Sequence, residues 1–213
     1  MARISAVLLG AAASCIAGGL AACRAPLPAA AHADQGTPAE CPARLRYIGI
    51  HPMAGKEVGG FVNASSEIFK GAGFIITPPD DPNPDALAAI REMIDYIGAG
   101  SVVVNTPEEH DSVIAYTSDL MHIASAMLCV DYPGNMTKAH TAGAFRDCTR
   151  IANLDARLWT ELLAGNMSDI IPWLDRYIDG LAQIRTALNS GDKESLHSLL
   201  ELAAVNKKKM LEL

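Results

Sequence analysis

The sequence has no cysteine pattern of the kind that binds a metal or forms a disulfide framework. The five cysteines among its 213 residues are Cys15, Cys23, Cys41, Cys129 and Cys148. Their number is odd and no pair has CxxC spacing, which argues against both zinc and a disulfide scaffold. We expect Cys129 and Cys148 to be reduced packing residues, and no other group of His, Asp, Glu and Cys suggests a metal.

Positive charge is also scarce. The chain has 17 Lys and Arg against 24 Asp and Glu, for a formal net charge of −7. The only basic run, Lys207–Lys209, falls at the end of a predicted helix, where we expect it to be solvated. A basic face for nucleic acid is therefore excluded.

A dinucleotide-binding fingerprint is missing as well. It requires G-x-G-x-x-G after a strand and an acidic residue about twenty positions later. Ala12 and Cys15 stand where the second and third glycines would follow Gly10, and no acidic residue precedes Asp34. We therefore expect the chain to lack a pyrophosphate site.

Residues 1–40 are rich in alanine and glycine and resemble an export signal. The apolar run 6–22 ends in a lipoprotein-like box at 20–23, and 31–33 fits a small-x-small cleavage site. Glycine and small residues interrupt the run too often for a membrane span. The alternative is that the segment is a non-native start joined to a truncated gene.

The remainder predicts a short α/β unit followed by helices. A strand at 45–50 is expected to lead into an exposed His-Pro turn and a glycine-rich loop with Lys56 and Glu57. A second strand, a helix with apolar residues at helical spacing, and a third strand follow at 73–77, 86–97 and 102–104. Thr106 and Glu109 form a capping box for a helix that continues to Val130. Further helices are predicted near 141–153, 155–164, 167–189 and 192–209.

Four blocks in this order resemble the prephenate/arogenate dehydrogenase family. They are HPMAGKE at 51–57, TPEEHD at 106–111, SDLMHIASAML at 118–128 and AGAFRDCTRIA at 142–152, with LW following at 158–159. The resemblance implies an α/β remnant of a Rossmann sheet at 41–105 and an all-helical dimerisation domain at 106–213. It also implies oxidative decarboxylation of prephenate, or of arogenate, with NAD or NADP, and a homodimer. Because the fingerprint is missing, this chain by itself is expected not to oxidise prephenate measurably.

His51 is the candidate catalytic residue, since a neutral imidazole can accept the substrate's hydroxyl proton as hydride leaves. Arg150 is the candidate anchor for a substrate carboxylate, and Arg146 lies four residues earlier on the same predicted helical face. The resemblance adds His122 to the substrate pocket and Glu57 near the active site. His110 fits the helix start and is interpreted as structural.

Two functions of other classes stay open at this point. One is a non-catalytic helical dimer that binds a carboxylate ligand, and the other is an exported lipoprotein that has reused the fold. A biosynthetic enzyme that needs a nicotinamide is expected in the cytoplasm, whereas a working signal at 1–33 would place the chain outside it. The apolar stripe of the helix at 167–189 favours a homodimer over an intrachain core.

Overall fold

The computed structural model describes residues 48–56 and 60–212. They divide into two compact units, the first extending to Ile170 and the second starting at Ile171. The predicted signal-like segment 1–40, Glu57 and three of the cysteines lie outside the described residues.

A three-stranded sheet in the order β1-β2-β3 begins the described fold. β1 is Gly49–Pro52, β2 is Gly73–Thr77 and β3 is Ser101–Val104. β1 pairs antiparallel with β2, whereas β2 and β3 are parallel and are joined by α1, Pro84–Tyr96. The predicted β-loop-β-α-β unit is confirmed, with β1 extending through His51 and Pro52.

One face of this sheet packs against α1. Phe74 and Ile76 of β2 meet Ile90 and Ile94 of α1, and Ile50 of β1 packs against the same cluster. Full burial of side chains of this size stabilises the fold by about 1.5–3 kcal/mol each. Asn83 caps α1, because its side chain accepts a hydrogen bond from the Ala86 N–H at 3.0 Å.

The predicted capping box starts the next helix, α2, Pro107–Ile114. The Glu109 N–H donates to the Thr106 hydroxyl at 3.2 Å, and the Glu109 carboxylate accepts from the Thr106 N–H at 2.9 Å. A π-helical segment, Ala115–Asp119, interrupts the predicted continuous helix before α3, Leu120–Val130. It keeps Asp111, Ala115 and Asp119, four residues apart, on a buried face.

The remaining helices follow the predicted order. They are α4 at Gly143–Thr149 with a 3-10 turn at Arg150–Ala152, α5 at Ala156–Gly165, α6 at Met167–Ser190 and α7 at Lys193–Met210. Cys129 on α3 and Cys148 on α4 are free but exposed, so the expectation that they pack inside the chain was wrong. Both lie on outward sides of their helices.

The apolar stripe of α6 is largely uncovered in the single chain. Ile170 is buried, but Ile171, Ile178, Leu181 and Leu188 are each at least half exposed. An intrachain core does not account for these residues.

Candidate functional site

His51 lies within β1 and faces away from α1. Its cross-strand partner is Ile75, whereas Ile50 and Pro52 pair with Ile76 and Phe74. Directly opposed residues share a face and successive residues alternate, so His51 is on the side opposite the Phe74–Ile76 core. The predicted exposed turn was wrong: antiparallel pairing extends through Pro52, and His51 is half-buried.

The N-terminal part of α2 covers this second face and brings another histidine to His51. His51 Nδ1 lies 2.9 Å from His110 Nε2, and the two rings are tilted with centroids 5.1 Å apart. His110 Nδ1 in turn lies 2.8 Å from Asp111 Oδ1. A hydrogen-bonded chain of three side chains therefore connects the sheet to α2.

Burial lowers the pKa of His51 to about 4, and the neighbouring His110 contributes in the same direction. Removing an imidazole from water disfavours its charged form. His51 is consequently neutral near pH 7, which is the state able to accept a proton.

Asn166, at the start of α6, holds the buried side of this cluster together. Its side-chain amide donates to the Asp111 carbonyl oxygen at 3.1 Å and to Asp119 Oδ2 at 3.0 Å. Burial raises the pKa of Asp119, while the Asn166 hydrogen bond and His122 oppose that rise. The Asn166 Oδ1 atom is itself buried and has no hydrogen-bond partner among the described residues.

His122 is held on α3 by two contacts. Its Nδ1 lies 2.9 Å from the Ser118 carbonyl oxygen, which only accepts, so Nδ1 carries the proton. The ring stacks on Trp159 of α5, with centroids 3.7 Å apart and planes inclined by 26°. His122 therefore presents Nε2 as an acceptor when it is neutral.

The arginines predicted to bind a carboxylate are both exposed, on adjacent elements. α4 carries Arg146 but ends at Thr149, and Arg150 begins the 3-10 turn. The predicted single α-helical face is therefore wrong. Both elements pack against α3, the helix of His122. Glu57 is outside the described residues.

Several members of the cluster escaped the sequence analysis. His110 fitted a helix start, and nothing in one sequence shows that α2 crosses the face of β1. No sequence motif marks Asp111, Asp119 or Asn166. The first two lie within helical segments, and Asn166 lies at the start of α6. The one available signal was the adjacent His110-Asp111 pair immediately after a strand and a capping box.

Within residues 48–56 and 60–212, no group of three or more His, Cys, Asp and Glu is arranged to hold a metal ion. The same residues contain no G-x-G-x-x-G sequence.

Two family models match consecutive parts of the chain. Residues 36–104 match the nucleotide-binding domain of prephenate dehydrogenase, and residues 106–202 match its dimerization domain. The two matches meet at Asn105, between β3 and α2. The chain belongs to the prephenate dehydrogenase family.

Curated relatives agree with this assignment. The chain is 32% identical to a prephenate dehydrogenase of Bacillus subtilis over 76% of its own length and 45% of the relative. It is 35% identical to a cyclohexadienyl dehydrogenase of Zymomonas mobilis over 68% of its length and 52% of the relative. The chain thus spans about half the length of the curated relatives that it matches.

The fold is also that of the family. The prephenate dehydrogenase of A. aeolicus, solved with hydroxyphenyl propionate and NAD+, superposes with a TM-score of 0.65. The superposition covers 76% of this chain and 58% of that one, at 23% identity. The small sheet and the helices that follow it are therefore a prephenate dehydrogenase arrangement.

One helical stretch, Pro107–Val130, is long and apolar enough to cross a membrane by composition alone. It is the same stretch that carries His110, Asp111, Asp119 and His122.

The depressed pKa of His51 makes stability depend on pH. Below pH 6.5 the unfolded chain binds a proton at His51 that the folded chain does not bind until about pH 4. The free energy of unfolding should therefore fall as pH drops through this window, by up to about 1.4 kcal/mol per pH unit from this group. Asp119 acts in the opposite direction, because its pKa is raised.

In the His51→Asn variant this part of the pH dependence should disappear in urea unfolding curves recorded between pH 4 and 7. His197→Asn, which removes an exposed histidine of α7, is the matched control. An unchanged slope in the His51 variant would show that His51 is not held neutral by its surroundings.

Proposed function

We propose that this chain carries the substrate-binding part of a dehydrogenase that converts prephenate, or arogenate, to an aromatic product with loss of carbon dioxide. The observation that carries the proposal is His51, neutral and half-buried, bonded to His110 in a chain that matches both domains of one dehydrogenase family.

The role of His51 in this proposal is to move one proton. The ring carbon that bears the substrate hydroxyl loses hydride, and the hydroxyl proton passes to the neutral imidazole. The resulting dienone loses carbon dioxide from the opposite ring carbon, and the electron pair enters the ring to give a phenolate. His51 returns its proton to that oxygen, so the imidazole ends the turnover neutral.

The substrate's charge calls for cationic and aromatic partners on the helical side. Arg150 is the proposed anchor for a carboxylate, because guanidinium binds carboxylate in a bidentate manner, and Arg146 is the second candidate. His122 and its stacking partner Trp159 are proposed to line the ring pocket. Glu57 remains a proposed neighbour of the site.

NAD or NADP is the proposed hydride acceptor, in keeping with the match of residues 36–104 to a nucleotide-binding domain and with the NAD+ of the A. aeolicus enzyme. Residues 48–56 and 60–212 are proposed to form the substrate side of the reaction. A biosynthetic enzyme that uses such a cofactor is proposed to work in the cytoplasm.

The helical region is proposed to form a homodimer. Residues 106–202 match a dimerization domain, and exposed apolar residues line α6. A second copy of the chain would cover this surface.

The His51 role can be measured in a fusion of residues 48–213 to the N-terminal nucleotide-binding half of the Bacillus subtilis relative. His51→Asn should lower kcat by roughly 10²–10⁴-fold, because loss of a positioned base is worth about that much. The KM for prephenate should change little. Near-normal turnover would remove His51 from catalysis, and an inactive parent fusion on both prephenate and arogenate would contradict the proposed function.

A substrate-anchoring role of Arg150 should change KM, whereas the catalytic role of His51 should change kcat. Arg150 is exposed in the single chain, so truncating its pair with a substrate carboxylate costs the roughly 2–5 kcal/mol of a buried pair only where the bound substrate covers it. In the same fusion, Arg150→Ala should raise KM strongly and Arg150→Lys less so, with a smaller loss of kcat than in the His51 variant. Arg91→Ala, on α1 beyond the opposite face of the sheet, is the control. Unchanged KM in both Arg150 variants would transfer the role to Arg146.

Sedimentation tests the dimer. The chain should sediment as a dimer at micromolar concentration, and Leu181→Glu should dissociate it because a carboxylate would be buried in the apolar stripe. Gln183→Glu, an exposed position of the same helix, should leave the dimer intact. A parent chain that is monomeric throughout would contradict the proposal.

A further inference from the structure

The chain of hydrogen bonds from His51 to Asp111 has a direction. Asp111 is at its inner end, where the side chains of Asp111 and His110 are 12% and 13% exposed. An ionised carboxylate can only accept hydrogen bonds. An aspartic acid side chain is ordinarily a carboxylate at neutral pH.

The carboxylate decides where each proton lies. His110 must donate from Nδ1 to Asp111 Oδ1, so its Nε2 carries a lone pair when the ring is neutral. That Nε2 atom then accepts, and His51 must donate to it from Nδ1 across 2.9 Å. The remaining nitrogen of neutral His51, Nε2, is left without a proton.

The reverse direction would disable His51. A donor in place of the carboxylate would put the His110 proton on Nε2, from which it would donate to His51 Nδ1. The His51 proton would then be on Nε2, and this atom could no longer accept one. The two directions of the same chain therefore correspond to a base that can act and a base that cannot.

We propose that His110 and Asp111 are positioning residues that hold His51 in its Nδ1–H tautomer, with Nε2 as the proton acceptor. The catalytic use of that acceptor rests on the proposed function, but the tautomer does not. Asn166 supports the arrangement, because it donates to the backbone carbonyl of Asp111 and fixes the position of α2.

The same contacts act after proton transfer. Once Nε2 of His51 has accepted a proton, Nδ1 continues to donate to His110, and the Asp111 carboxylate lies one imidazole away from the new charge. Asp119 lies close enough to both His110 and Asp111 to interact with them electrostatically. A buried imidazolium that would otherwise be costly thus has a carboxylate within its hydrogen-bond chain.

Nitrogen NMR of the full chain labelled with 15N-histidine tests this directly, since protonated and unprotonated ring nitrogens differ widely in 15N shift. At pH 7, His51 should show a protonated Nδ1 and an unprotonated Nε2. His51 protonated at Nε2 in the parent protein would overturn the proposal without any variant.

Two variants test the cause. Asp111→Asn should shift His51 toward the Nε2–H tautomer, because an amide can donate to His110, whereas Asp111→Glu should retain the Nδ1–H form. Asp95→Asn is the control, since it alters an exposed carboxyl on α1, away from the chain of bonds. An unchanged His51 tautomer in folded Asp111→Asn would overturn the proposal. A confirmed tautomer in the full chain, together with a fusion inactive on prephenate and arogenate, would contradict only the proposed function.

Discussion

The antiparallel register of β1 on β2 is the constraint on which the site depends. It pairs His51 with Ile75 and Ile50 with Ile76, and so assigns one residue to each side of the sheet. A slip of one residue would turn His51 into the apolar cluster beneath α1 and expose Ile50 on the other side. The burial of Phe74 and Ile76 against Ile90 and Ile94 opposes such a slip, so the hydrophobic core on one face orients the imidazole on the other.

The polar cluster on the second face is stable only as a connected unit. Buried polar groups are costly unless they are hydrogen-bonded, and here the partners come from β1, α2, the π-helical segment and the start of α6. Asn166 joins two of these by donating to both Asp111 and Asp119. The π-helical segment is one of the irregularities that often occur at functional sites, and here it keeps Asp119 on the face that Asn166 reaches.

The helical part of the chain exposes apolar side chains to water. Its longest helix, α6, leaves apolar residues exposed at regular intervals, among them Ile178 and Leu181. A single chain gains nothing from such a stripe, whereas a partner copy would remove it from water. The same region matches a dimerization domain model, in keeping with the proposed homodimer. Arg146 and Arg150 are likewise exposed in the single chain.

The sequence by itself determined the local structure and the family. Apolar spacing identified α1, and Thr106 with Glu109 identified the start of α2, because capping and periodicity depend on residues close together in the chain. The four blocks at 51–57, 106–111, 118–128 and 142–152, in this order, suggested a dehydrogenase family and selected His51. Only the tertiary structure brought His110 to His51, since these residues are 59 positions apart and their contact depends on how α2 crosses the sheet. It also joined Asn166 to Asp111 across 55 positions, because packing between distant segments, not local propensity, decides such contacts. The end of α4 at Thr149, one residue before Arg150, was likewise visible only in the structure.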